Sequence, residues 1–78
     1  MKRLHRLNDM APGQRASVAR ICVTGALRRR LLELGLIPGT QIECIGRSPW
    51  GDPISFLIRG AVIALRENDC KAILLNSI

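Results

Sequence analysis

The chain has no tyrosine, and Phe, Trp and His each occur once in 78 residues. A platform on which nucleic-acid bases could stack is therefore nearly missing. The core must instead be built from the aliphatic residues that dominate the 47% hydrophobic fraction. The lone His5 has no serine, cysteine or carboxylate held near it by sequence, which reads as a surface histidine in a frayed terminus. No two acids are set among apolar residues as general acid–base chemistry would need. No glycine-rich phosphate loop of the GxGxxG or GxxxxGK[ST] kind is present. These gaps argue against an enzyme.

Cys22, Cys44 and Cys70 are odd in number and far apart, with neither a CxxC pair nor a paired histidine. A disulfide framework and a tetrahedral zinc site are both disfavoured. Each lies among aliphatic residues, so buried thiols that pack as small hydrophobes are the favoured reading. A gathering of the three to sense metal or redox state is the alternative. No window approaches the ~18 uninterrupted apolar residues of a membrane helix. Asp9, Pro12 and further arginines interrupt the basic start where a signal peptide needs an apolar stretch. A cytoplasmic protein without direct membrane insertion is expected.

The chain does have positive charge: twelve Lys and Arg against six Asp and Glu, with ten of the twelve cations arginine. Arginine presents a planar donor fork suited to carboxylate or phosphate. At scattered positions such as Arg15, Arg47 and Arg66 a solvated surface charge is the simpler reading.

The length permits one core, so residues 1–78 are expected to form one domain. Proline and glycine cut it at Pro12-Gly13, Gly25, Gly35, Pro38-Gly39, Pro49, Gly51 to Pro53 and Gly60. Such punctuation, with β-branched stretches between, predicts a mainly β fold: a small antiparallel barrel of about five strands with one inserted helix. Strands are expected at about 15–23, 40–47, 53–59, 61–66 and 72–77, and the helix at about 25–35. An apolar-Pro-Gly turn precedes both of the first two strands, a reused device and not a repeat. Ile42, Cys44 and Gly46 share one face of their strand, which places Cys44 inward. Val18 and Ile21 have opposite parity, which a bulge would reconcile, leaving Cys22 free to face either way. Gly60 suits a tight hairpin connection needing positive φ. Asn68-Asp69 can cap a single turn carrying Cys70.

In the helix, Leu27, Leu31 and Leu34 form one apolar stripe. Thr24 is the expected N-cap, Gly35 the C′ residue, and Leu36 the apolar residue that packs back on the last turn. Arg28, Arg29 and Arg30 sit in the first half and Glu33 in the last turn, the reverse of what the macrodipole favours. Helix stability therefore does not explain the arginine run. At roughly 100° per residue, Arg29 points away from the stripe and Leu32 falls off the core face beside Arg28. A leucine among arginines resembles the apolar centre and basic rim of a small interface. The competing reading is a leucine covered by the next loop. Trp50, in the Pro49-Trp-Gly-Asp-Pro53 turn, either closes one end of the barrel or anchors a partner. Asp52 reads as a turn aspartate accepting local backbone N–H bonds.

Three segments, Arg30-Leu-Leu-Glu-Leu-Gly-Leu-Ile-Pro-Gly39, Ser48-Pro-Trp-Gly-Asp-Pro-Ile54 and Arg59-Gly-Ala-Val-Ile-Ala-Leu-Arg66, resemble in order and spacing the FeoA family of small ferrous iron transport proteins. The resemblance implies an SH3-like barrel with a helix after the first strand. It also implies a cytosolic accessory protein that binds the Fe(II) transporter FeoB, through its GTPase domain, and supports or modulates uptake. It implies no iron site and no cofactor in the protein itself. The expected docking surface is Arg28, Arg29 and Leu32 with the Leu36-Ile37 loop. Arg59 and the Trp50-Gly51-Asp52 turn form a second candidate. A monomer or weak homo-oligomer is expected. A basic barrel binding RNA or DNA is the alternative function. The domain also resembles the SH3-like tail of iron-dependent repressors, but without their helical DNA-binding domain.

Overall fold

The computed structural model describes residues 5–76. Strands β1 (His5–Arg6), β2 (Arg15–Ile21), β3 (Gln41–Arg47), β4 (Ile54–Ile58), β5 (Ala61–Leu65) and β6 (Ile73–Leu75) form one antiparallel sheet in the order β1-β6-β2-β3-β4-β5. Helix α1 (Gly25–Glu33) follows β2, and a single turn α2 (Glu67–Cys70) links β5 to β6. The alternating burial of β4, in which Ile54, Phe56 and Ile58 are fully enclosed, shows how period-two patterning sets the inner face. The five expected strands correspond to β2 through β6 within a few residues and β1 is a sixth beyond those expected, while Ser77 of the closing strand lies outside the described residues.

The two Pro-Gly turns are built alike. In each, the residue after glycine donates its backbone N–H to the residue before proline, Gln14 to Ala11 at 3.0 Å and Thr40 to Ile37 at 3.0 Å. The side chain of that same residue accepts in return, from Ala11 N–H at 2.7 Å and from Ile37 N–H at 3.1 Å. Gly13 and Gly39, at φ +88° and +94°, then donate to Cys44 O and Val18 O on neighbouring strands. Both glycines occupy the left-handed region that L side chains avoid.

Helix α1 ends in a full Schellman motif: Leu36 N–H reaches Leu31 O at 2.9 Å and Gly35 N–H reaches Leu32 O at 3.0 Å. Leu31 and Leu36 are both buried, while Leu27 and Leu34 pack on the margin of the core. Thr24 is the N-cap by position, but its side chain makes no capping bond.

Several local expectations need correction. His5 is not frayed: it pairs with Leu75 and is half-buried, because the last strand offers β1 an edge. The bulge expected in β2 lies between Val18 and Arg20. A second one, between Cys44 and Gly46, ends the expected alternation of β3 and turns Gly46 toward the Ser55 face. The β4–β5 hairpin turns on Arg59 and Gly60, at φ +48° and +84°, so Arg59 belongs to the turn and not the strand. Arg66, not Asn68 or Asp69, holds the N-cap position of α2.

Candidate functional site: the helix face and the barrel ends

Arg28, Arg29 and Leu32 come together around an open hollow of about 480 Å³ whose remaining lining is Gly25 and Ala26. Leu32 is 43% exposed, so the following loop does not cover it. Arg28 Nη1 donates to Ile21 O at 3.2 Å, which ties the base of this face to the end of β2. Arg29 and Arg30 are exposed, and neither forms an ion pair with Glu33 on the same helix; Arg15 with Glu43, 3.0 Å apart, is the ion pair among the described residues. Arg28 and Arg29 thus remain largely free to meet an acidic partner, whereas Arg30 falls in the last turn of the observed helix, where the macrodipole favours a cation.

The adjoining loop divides. Ile37 is exposed on a well-braced turn, since Thr40 Oγ1 both accepts from Ile37 N–H and donates to Gly35 O at 3.0 Å. Leu36 is fully buried and is a core residue, contrary to its assignment to the docking surface. Its position two past the helix cap draws it onto Leu31.

The second candidate surface is not one patch. Arg59 and the Trp50–Asp52 turn lie at opposite ends of β4, whose five residues span roughly 14 Å at a rise of ~3.4 Å per residue. Trp50 is 89% exposed, so it does not close the barrel. Asp52 does accept a backbone N–H, but from Glu67, fifteen residues on, at 3.0 Å. It therefore caps α2 instead of bracing its own turn. Arg59 lays its stem over Gly35, with Cδ 2.6 Å from where a Cβ there would sit. It shares a groove of about 410 Å³ with Arg15, Thr40, Gln41, Glu43, Leu57 and Gly60.

Arg47 is exposed, but it does more than carry a solvated charge. Its Nη2 donates to Asn8 O at 2.6 Å and its Nη1 to Gly51 O at 3.4 Å, joining the start of the chain to the Trp50 turn. No local pattern could have signalled a contact across 39 residues.

The cysteines are scattered in environment. Cys44 and Cys70 are buried, but Cys22 is exposed, against the expectation that all three pack inside. Burial pushes the Cys70 thiol up to about 12, with Asp69 adding to the effect. Burial likewise raises Cys44, against the smaller opposing pull of Arg47. Among the described residues, no three His, Cys, Asp or Glu side chains group so as to hold a metal ion.

The FeoA domain model matches residues 5–77. An Fe(2+) transport protein A/Fe(2+) transporter FeoB fusion protein from Porphyromonas gingivalis is 31% identical over 68 residues, 87% of this chain but 8% of that protein's length. The solution structure of FeoA from Chlorobium tepidum superposes with a TM-score of 0.88 at 31% identity, covering 95% of this chain and 70% of that one. A zinc-complexed FeoA from Stenotrophomonas maltophilia, called a prokaryotic SH3 domain protein, superposes at 0.79 with 24% identity over 92% of this chain and 89% of that one, a likeness of fold. The six-stranded antiparallel sheet with its inserted helix is thus an SH3-like domain, and this chain belongs to the FeoA family, which is linked to ferrous iron transport.

Proposed function

We propose that this chain is a cytoplasmic accessory protein that binds the GTPase domain of a FeoB transporter and modulates its GTP-dependent Fe(II) transport without catalysing a step itself. The observation that carries the reading is the exposed Leu32 flanked by Arg28 and Arg29 on one helix face. An apolar centre with a basic rim suits a small protein interface better than a ligand pocket. Ile37, standing out from the braced loop after the helix, would extend the apolar part. The Porphyromonas gingivalis fusion supports the choice of partner, because permanent covalent linkage is tolerated where two proteins act together. No described helix is long and apolar enough to cross a membrane, which fits a domain that docks on a transporter instead of forming its pore.

The test is calorimetric titration of the protein into the isolated FeoB cytosolic domain, with and without a GTP analogue, at physiological salt. Saturable binding is expected. Reversal of both Arg28 and Arg29 to Glu should slow association and raise the dissociation constant at least tenfold, since charges around an interface steer encounter. Leu32→Ala should weaken binding by more than about 1 kcal/mol if it is the central anchor. Unchanged affinity in these variants, with loss of binding in Trp50→Ala, would move the interface to the Trp50 turn.

A further inference from the structure

The outer face of the sheet around β6 carries a second basic surface that the helix-face reading does not use. Leu74 is the cross-strand partner of Arg6 in β1 on one side and of Arg20 in β2 on the other. Cross-strand partners project to the same side of a sheet. The neighbouring row, His5–Leu75–Val18, contains two fully buried side chains and marks the inner face, so Arg6, Leu74 and Arg20 face outward. Both arginines are exposed, and Leu74 is half-buried between them. Their backbones stand two strand spacings apart, roughly 10 Å at ~4.8 Å per strand.

The bulge in β2 is what completes the row. Val18 faces inward, and regular alternation would turn Arg20 inward with it. The extra residue, Ala19, restores Arg20 to the outside. No acid occurs on β1, β2 or β6. The nearest in sequence, Asp9, turns its carboxylate back to the Arg6 backbone N–H at 2.8 Å. Glu43 of β3 pairs with Arg15 at the start of β2, and Asp52 is engaged with α2. The β1–β6–β2 part of the outer face thus carries Arg6 and Arg20 with no acid on its own strands.

We propose that this Arg6–Leu74–Arg20 face rests against an anionic lipid leaflet and orients the domain there. Charge complementarity selects an anionic partner, and the leucine between the arginines selects a lipid interface over a nucleic acid. Of the two large aromatics, Phe56 is buried and Trp50 stands on another turn, so the face has nothing on which a base could stack. Each arginine near an anionic leaflet contributes about 1 kcal/mol, roughly a fivefold gain in partitioning. Two give a weak contact that orients a protein already recruited by another partner. The inference rests on the transporter reading for that recruitment, but the contact itself needs only lipid.

The experiment is sedimentation of the full chain with vesicles of neutral phosphatidylcholine or of phosphatidylcholine with two-fifths phosphatidylserine, at low and physiological salt. Binding to the anionic vesicles alone is expected, weakening with salt. The double variant Arg6→Gln/Arg20→Gln should lose roughly 25-fold in partitioning, being two fivefold steps. Arg59→Gln/Arg66→Gln removes the same charge from the two ends of β5, at the opposite edge of the sheet from β1 and β6, and should lose less than about threefold. All four sites are exposed, and melting temperature verifies folding. Equal losses in the two variants would show a net-charge effect and overturn the assignment of the face. Failure to bind anionic vesicles would overturn the proposal while leaving transporter docking, measured without lipid, intact. Tighter binding to a DNA or RNA oligonucleotide with the same variant dependence would overturn it in favour of a nucleic-acid face.

Discussion

At Gly35 the backbone φ is +91°, and a Cβ there would lie 2.6 Å from Arg59 Cδ and 2.8 Å from its Nε. An L side chain would meet left-handed strain and a crowded neighbour together. Gly35→Ala is expected to destabilise the domain by about 1–3 kcal/mol, lowering Tm by roughly 4–8 °C per kcal/mol for a domain of this size. Gly39 separates the two causes, since it has φ +94° but no heavy atom within 4 Å of a would-be Cβ. Gly39→Ala should therefore show the conformational term alone and the smaller loss. Adding Arg59→Ala to Gly35→Ala should recover part of the difference, because the blocking stem is then gone. Equal Tm losses for the two glycine variants would mean that the Arg59 contact contributes nothing.

Among the elements, α1 was the most legible, because its leucine spacing, its terminal glycine and the leucine after it all agree. The same Schellman logic that predicts Leu36 packing back on the helix also overrides its membership of the exposed loop. The wheel position of Leu32 off the core face was equally readable, but the sequence leaves open whether the next loop covers it, and the structure leaves it exposed. Features that depend on partners far along the chain were not legible. Two residues give β1 no periodicity, and its pairing comes wholly from β6. The bulge at Ile45 left no signal, since Gly46 has no side chain to reveal which face it takes. The α2 cap comes from Asp52, whose local proline and glycine neighbours suggested a turn role instead. The N-cap of α1 gives a test at this scale. Replacing an N-cap threonine ordinarily costs about 1 kcal/mol. Thr24 makes no side-chain bond here, so Thr24→Ala should change stability by less than about 0.5 kcal/mol. Leu31→Ala, which empties a buried site in the stripe, should cost about 2–4 kcal/mol. Denaturant unfolding of both variants checks the contrast, and a Thr24→Ala loss above 1 kcal/mol would contradict the uncapped geometry.

For the molecule as a whole, the buried thiols couple folding to alkaline pH. Cys70 sits at about 12 in the folded chain against 9.0 for an ordinary thiol, and burial is the main cause. The folded state thus keeps a proton that the unfolded chain releases above pH 9. Stability falls with pH wherever the folded state binds more protons, so this contribution is complete below about 9.0 and declines toward about 12. Cys44, raised for the same reason, acts in the same direction. Unfolding measured between pH 8 and 11 is expected to show a steadily lower denaturant midpoint. Cys70→Ala should flatten that decline, even if its starting stability is lower from lost packing. The same burial governs reactivity, because the thiolate is the attacking form. At pH 8 a thiol reagent should label the exposed Cys22 in the native protein and reach Cys44 and Cys70 only in denaturant. Cys22→Ser should abolish the native reaction. Rapid native labelling of Cys70 would show that the core opens under native conditions, and an unchanged alkaline slope in Cys70→Ala would assign the pH dependence to other groups.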